Sequence, residues 1–127
     1  MVLITRIGII GSRSRDSDDD LKKTIKAFSD LIQKYHAEEG EIMIISGGAK
    51  KGGDRFAEVI AEQFASHKTI YYPQYRLYGK IAPLVRNTQI AKFSDALIAC
   101  WDNKSTGTDN AIKAFKTFHP LADLIII

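Results

Sequence analysis

The sequence predicts an α/β protein, a Rossmann-like three-layer α/β/α sandwich with a mainly parallel sheet of about five strands. Short apolar runs rich in β-branched residues alternate along the chain with segments of helical period; these runs are roughly 5–10, 41–45, 68–72, 95–101 and 122–127. Several of them are continuously apolar rather than alternating, as is typical of strands buried on both faces of a parallel sheet.

Four segments between these runs place apolar residues three and four positions apart, the spacing of one face of a helix. They extend from Leu21 to Tyr35, from Phe56 to Phe64, from about Pro83 to Ile90 and from Ala111 to Phe118. Strands that alternate with helices predict right-handed crossovers and helices on both faces of the sheet. In such folds ligands bind beyond the carboxyl ends of the strands, so the turns that follow each strand are the expected site.

Length and composition limit the class of protein. The chain has 127 residues, which fits one domain. Its single cysteine, Cys100, ends a predicted buried strand, so we expect an inert core thiol. No apolar run approaches the roughly 20 residues that cross a bilayer, and the start of the chain lacks the features of a signal peptide. We therefore expect a cytoplasmic protein with no membrane partner.

The net charge of +3 favours anionic ligands in general. It does not by itself indicate nucleic acid, because no run of Lys and Arg is dense enough to form a dedicated patch. The three histidines lack the spacing of metal ligands, so no protein metal site is predicted. The acidic run 16–20 precedes a helix and is typical of N-terminal capping. A Mg²⁺ ion beside a bound phosphate is the alternative for this run, and no other cofactor is expected.

The turn after the first strand contains Gly11, Ser12 and Arg13. Glycine permits a sharp turn or a close approach to a ligand, and the hydroxyl of Ser12 can form a hydrogen bond. The guanidinium of Arg13 matches phosphate or carboxylate. A tight turn followed by a solvated arginine is the alternative interpretation.

The turn after the second strand is the most informative, since it holds four glycines before a helix: Ser46, Gly47, Gly48, Ala49, Lys50, Lys51, Gly52, Gly53, Asp54 and Arg55. Such a turn can direct several backbone N–H groups and a helix N-terminus at an anion. It matches neither the P-loop nor the dinucleotide-binding glycine pattern. Asp54 has two open interpretations, a helix cap or a ligand of a ribose hydroxyl.

Two further segments follow the third strand. Four of the five tyrosines lie between positions 71 and 78, near Arg76, and can either stack on a base or pack over the edge of the core. Arg86 and Asn87 fall on the polar side of the third predicted helix.

The turn after the fourth strand contains Asp102, Ser105, Gly107 and Thr108. Serine and threonine are good helix N-cap residues, so ordinary capping is one interpretation. However, glycine- or hydroxyl-rich turns follow three strands, and all three fall on the same edge of the predicted sheet. This coincidence favours a ligand site at that edge.

These motifs occur in the order found in a known family. Gly11-Ser12-Arg13, Ser46-Gly47-Gly48-Ala49 with Gly53-Asp54-Arg55-Phe56-Ala57, Arg86-Asn87 and Ser105-Thr106-Gly107-Thr108 resemble the small, YspA-like members of the SLOG superfamily. That superfamily includes the LOG cytokinin-activating hydrolases and the DNA-processing DprA/Smf proteins. The resemblance covers roughly residues 6–119. It implies a Rossmann-like fold that binds nucleotides or nucleotide-derived molecules, with phosphate against Gly47, Gly48, Gly107 and Thr108.

One position departs from the LOG hydrolases, whose Gly-Gly-x-Gly-Thr-x-x-Glu motif supplies a catalytic glutamate. Ala111 stands at the glutamate position, so the carboxylate is missing. Asp109 lies two residues earlier and, on a helix, points elsewhere. Asp54, Arg86 and Asp102 are the remaining candidates for catalytic residues.

The sequence therefore predicts a single Rossmann-like nucleotide-binding domain over 1–127 that acts as a sensor, carrier or sequestering module. The predicted ligand residues are Gly11, Ser12, Arg13, Ser46, Gly47, Gly48, Ala49, Asp54, Arg86, Asn87, Ser105, Gly107 and Thr108. One alternative is an N-glycosidase or phosphoribohydrolase acting on nucleoside monophosphates. Another is binding of single-stranded nucleic acid along Arg13, Lys50, Lys51, Arg55, Arg76 and Arg86.

Self-association is a further expectation, since the chain ends in the apolar residues 124–127. A buried strand is the preferred interpretation of this end, and pairing across a subunit interface is the alternative.

Overall fold

A computed structural model describes residues 3–38, 40–64 and 67–127, and it confirms the predicted fold class. The strands are β1 (Thr5–Gly11), β2 (Ile42–Ser46), β3 (His67–Ile70), β4 (Ala96–Cys100) and β5 (Leu124–Ile126). The helices are α1 (Asp18–Tyr35), α2 (Gly53–Gln63), α3 (Tyr75–Tyr78), α4 (Ala82–Phe93) and α5 (Thr106–Phe118), with a 3₁₀ turn at Gly79–Ile81.

The five strands form one sheet in the order β3-β2-β1-β4-β5, and every pair is parallel. The chain builds outward from β1 to β3, then crosses back to place β4 on the other side of β1. The strand order therefore reverses between β1 and β4. This switch point is where the carboxyl ends of parallel strands leave room for a ligand.

Two apolar cores lie on opposite faces of the sheet, because successive residues of a strand point to opposite sides. Ile9 of β1 packs with α1 and α2, and its neighbour Ile10 packs with α4 and α5. Phe28 of α1 and Phe115 of α5 fill the two cores and are almost fully buried. The two helical layers complete the three-layer sandwich.

The acidic run before α1 has structural partners, as the capping interpretation predicted. Ser17 is the N-cap, and its side chain accepts a hydrogen bond from the N–H of Asp20 while Asp20 reaches back to the N–H of Ser17. Asp20 also pairs with Arg15 at 2.7 Å. Asp16 lies instead against α2, where it accepts from the N–H of Gly52 and from Arg55.

Two segments differ in detail from the sequence prediction. Residues 75–78, expected in a loop, form the single turn α3, because one turn of helix carries too little periodic signal to be read. The apolar chain end forms a strand, but β5 is an edge strand and Ile126 is 45% exposed. No helix among the described residues is long and apolar enough to cross a membrane.

Candidate functional site

A cleft of about 380 Å³ lies beyond the carboxyl ends of β1, β2 and β4, at the switch point of the sheet. The three predicted turns converge on it, together with α4. Its predicted lining residues are Gly11, Ser12, Arg13, Gly47, Ala49, Asp54, Arg86, Asn87, Asp102, Ser105, Gly107 and Thr108. Its volume falls within the usual range for small-molecule pockets.

Ser46 and Gly48, also predicted as ligand residues, do not line the cleft. Ser46 is fully buried beneath the loop, with its hydroxyl 2.7 Å from the carbonyl oxygen of Ile9. Gly48 has a φ of +80° and turns outward against the ring of Tyr72. Both residues shape the loop whose neighbours Gly47 and Ala49 face the cleft.

The cleft floor depends on a close backbone approach at Gly53. A Cβ atom at this position would lie 2.0 Å from the carbonyl carbon of Ile10 and 2.2 Å from the nitrogen of Gly11. The first turn of α2 therefore rests directly on the end of β1. The sequence predicts that this four-glycine turn directs backbone N–H groups at an anion, but packing is what requires a glycine at position 53.

Asp54 closes the glycine loop. Its side chain is nearly buried; Oδ1 lies 2.9 Å from the hydroxyl of Ser46, and Oδ2 accepts from the N–H of Ala49 at 2.9 Å. Neither oxygen caps a helical N–H, because Gly52 is the N-cap of α2. Asp54 thus holds the shape of the loop from the cleft side.

Asp102 organises the loop after β4. Its Oδ1 accepts from the N–H groups of Lys104 and Ser105, and its Oδ2 accepts from the hydroxyl of Ser14. Hydrogen bonds from Ser14 and from these two backbone groups hold the pKa of Asp102 well below its usual range. The carboxylate is therefore ionised at neutral pH and is a weak proton acceptor.

The hydroxyl of Ser105 joins this network instead of capping its own helix. It lies 2.8 Å from Oδ1 of Asp102 and 2.6 Å from the hydroxyl of Ser12. Ser12 in turn accepts from the N–H of Asp102 at 3.0 Å. The N-cap side chain of α5 forms no capping hydrogen bond.

The N-terminus of α5 consequently presents open donors. Its first helical hydrogen bond runs from the N–H of Asp109 to the carbonyl of Ser105. Among the described residues, no acceptor takes the N–H groups of Thr106, Gly107 and Thr108. The helix dipole adds partial positive charge at the same place.

The side chain of Thr108 adds a hydroxyl beside these N–H groups. Thr108 is only 7% exposed as a residue, and its hydroxyl forms no hydrogen bond with a described residue. Because every buried side-chain polar atom among the described residues has a partner, this hydroxyl is accessible to solvent. It lines the cleft in the first turn of α5. The hydroxyl is therefore available to bond with a ligand in the cleft.

Arg86 and Asn87 form the wall on the α4 side. The Arg86 guanidinium donates to the carbonyl of Gly47 at 2.6 Å and to the side-chain oxygen of Asn87 at 2.8 Å. Asn87 in turn donates to the carbonyl of Gly107 at 3.1 Å. Both acceptors of Arg86 are neutral, and it forms no ion pair with a described residue. The carboxylate of Asp54 is nearby, because a Cβ atom at Gly47 would lie 2.6 Å from Nη1 of Arg86 and 3.0 Å from Oδ2 of Asp54.

Of the other cationic residues predicted to contact a ligand, some reach the cleft and some do not. Arg13 is exposed at the cleft rim. Arg55 turns away to Asp16, 2.8 Å from its carboxylate, and the exposed Lys50 and Lys51 do not line the cleft. The structure therefore brings Arg13 and Arg86 to the site.

Sequence reasoning missed several lining residues. Ser14 directly follows the Gly11–Arg13 turn and could have been found as a neighbouring hydroxyl. Ile10, Pro83 and Ile90 contribute apolar surface, which no local motif marks as part of a site. Ala111 also lines the cleft. The carboxylate of Asp109 forms an ion pair with Lys113, at 2.9 Å.

Among the described residues, no group of three or more His, Cys, Asp or Glu side chains could hold a metal ion. Cys100 is fully buried, and burial raises the pKa of its thiol. It has the character of a core thiol rather than of a nucleophile.

The low pKa of Asp102 makes its contribution to stability dependent on pH. Because the pKa of Asp102 in the folded state lies below its ordinary value of 3.8, the stabilisation is present above that pH and is lost as pH falls further. We expect Asp102→Asn to lower the urea midpoint at pH 6 and the difference from wild type to shrink by about pH 2.5. Asp19→Asn, on the exposed start of α1, is the control; an Asp102→Asn deficit that stays constant down to that pH would contradict the interpretation.

The chain was compared with family models, curated proteins and solved structures. No family model matches it, and neither a curated protein nor a solved structure does.

Proposed function

We propose that the protein binds a nucleotide or nucleotide-derived molecule, with its phosphate at the N-terminus of α5, and acts as a sensor, carrier or sequestering module. The observation that carries the proposal is the diverted N-cap of α5. Ser105 bonds to Ser12 and Asp102, which leaves the N–H groups of Thr106, Gly107 and Thr108 open beside the unpartnered Thr108 hydroxyl. This is the arrangement that binds phosphate at helix N-termini.

The charge and shape of the cleft support the same ligand class. Arg86 and Arg13 add positive charge to the helix dipole. Ile10, Pro83 and Ile90 provide an apolar wall against which the non-phosphate part of a ligand can lie. A phosphate attached to a compact organic group fits both parts of the cleft.

Binding without catalysis is favoured over glycosidic cleavage. The carboxylates of Asp54 and Asp102 both accept hydrogen bonds that maintain their loops. Ala111 contributes only a methyl group at the position where the resemblance places a glutamate. Release of free base from a nucleoside monophosphate, abolished by Asp54→Ala, would support the enzymatic alternative instead.

Thr108→Val tests the proposal directly, because valine keeps the branched shape and removes only the hydroxyl. We expect at least about tenfold weaker binding of a nucleoside monophosphate, since a hydrogen bond to a charged group contributes about 1.5–3 kcal/mol. The free energy of unfolding should change little, as the hydroxyl forms no hydrogen bond with a described residue. Calorimetric titration of wild type and variant with AMP, GMP and ADP-ribose measures the effect.

The control is Thr117→Val, a surface position at the far end of α5. Ribose 5-phosphate and the unphosphorylated nucleosides separate the contribution of the phosphate from that of the base. The proposal fails if none of the phosphorylated ligands binds the wild-type protein, or if Thr108→Val binds them as tightly as wild type does.

A further inference from the structure

An exposed apolar surface borders the site on the side of α3 and the start of α4. We call it the tyrosine surface, and it consists of Tyr72, Tyr75, Leu77, Tyr78, Ile81 and Leu84. Leu77 is 68% exposed, Tyr75 60% and Ile81 56%. Neither α3 nor the following 3₁₀ turn contains a buried residue. Contiguous exposed apolar side chains of this kind mark interaction sites.

These residues do not complete the core of the domain. Of the four tyrosines in the segment, only Tyr71 packs inward, with its ring stacked 6.1 Å from that of Phe93. The helix α4 has apolar residues on both its inner and outer sides, since Ile90 is buried and Leu84 is 46% exposed. Leu84 thus extends the exposed apolar surface of α3 onto the first turn of α4.

The positive charge around the tyrosine surface favours a negatively charged partner. Residues 69–94 contain no aspartate or glutamate, whereas Arg76 and Lys80 lie within the tyrosine surface. Both cations are exposed, and neither forms an ion pair with a described residue. A second copy placed face to face would oppose these positive charges, which disfavours self-association here. An acidic partner is complementary.

The exposed aliphatic side chains of the tyrosine surface favour a protein partner over a nucleic acid. Tyrosine and arginine suit either partner, because bases stack on aromatic rings and both residue types are enriched in protein interfaces. Leu77, Ile81 and Leu84 have no π face on which a base can stack. Covering them requires apolar side chains, which a polypeptide supplies.

We propose that the tyrosine surface is a docking site for an acidic protein segment. Apolar side chains of the partner cover Leu77, Ile81 and Leu84, and its carboxylates pair with Arg76 and Lys80. This inference is independent of the ligand cleft, since none of these residues lines it.

A phage-displayed library of random 12-residue peptides, selected on the immobilised full-length protein, tests the proposal. We expect selected peptides to combine Asp or Glu with Leu, Ile or Phe. Leu77→Asp with Ile81→Asp should weaken their binding at least tenfold by fluorescence anisotropy. Arg76→Glu with Lys80→Glu should do the same, and affinity should fall as salt is raised. The matched control is Lys22→Glu with Lys116→Glu, which makes the same charge change at exposed positions of α1 and α5.

Four outcomes would overturn the proposal. The first is a selection that enriches no acidic sequence, and the second is enriched peptides that bind the Leu77/Ile81 variant as well as wild type. The third is a dimer in sedimentation that dissociates in that variant, which would make a second copy the occupant. The fourth is a dT oligonucleotide that binds wild type but not Tyr75→Ala with Tyr78→Ala, which would make nucleic acid the occupant. Unchanged urea midpoints, expected because these side chains are exposed, exclude misfolding as the cause.

Discussion

Gly53→Ala is expected to destabilise the folded domain strongly. An alanine Cβ would lie within 2.2 Å of three backbone atoms of Ile10 and Gly11. These atoms belong to the central strand β1, which is paired with β2 and β4 and cannot move aside alone. Either α2 must shift away from the sheet or β1 must lose its register. Overpacking a rigid site costs typically 1–3 kcal/mol, and contact with backbone on this scale should exceed about 3 kcal/mol.

Urea unfolding followed by circular dichroism measures this loss. Gly107→Ala is the matched control, because its Cβ would meet only the side chain of Asn87, at 3.4 Å. Since Gly107 lies in the first turn of α5, alanine there should be neutral or slightly stabilising for folding. A Gly53→Ala protein within about 1 kcal/mol of wild type would show that α2 does not rest on β1 as described.

The fold was accessible from the sequence because its signals are local and repeated. A short continuous apolar run such as that of β4, all of whose residues are buried, is typical of a strand in a parallel sheet. Alternation with amphipathic helices then specifies crossovers and layers. The exposure of the edge strand β5 was less predictable, because it depends on its position at the end of the strand order.

The site was predictable only at the level of the turns. The convergence of three turns follows from parallel topology, but the partners chosen by polar side chains do not. Ser105 was expected to bind a ligand or to cap a helix, and its hydroxyl bonds to Ser12, 93 positions away in sequence. Asp54 was expected to cap a helix or bind a ribose, and it closes the loop through Ala49. Such choices depend on groups that only folding brings together.

Those partner choices also identify the residue whose replacement should most reduce ligand binding. Arg86 is partly buried beside the N-terminus of α5, and its two protein acceptors are both neutral oxygens. A guanidinium without an ion-pair partner attracts an anion, and its forked donors match phosphate. The phosphate of a nucleoside monophosphate bound at α5 would compensate the charge.

Arg86→Gln should therefore weaken AMP binding roughly 30-fold or more, since loss of a charge-assisted hydrogen bond costs about 2 kcal/mol or more. Arg86→Lys should recover part of the affinity, because it restores the charge without the planar fork. Arg76→Gln makes the same change at an exposed position outside the cleft and should leave binding unchanged. Calorimetric titration with AMP and with adenosine provides the decisive comparison. If Arg86→Gln weakens adenosine as much as AMP, then Arg86 acts by holding the Gly47 loop and not by binding phosphate.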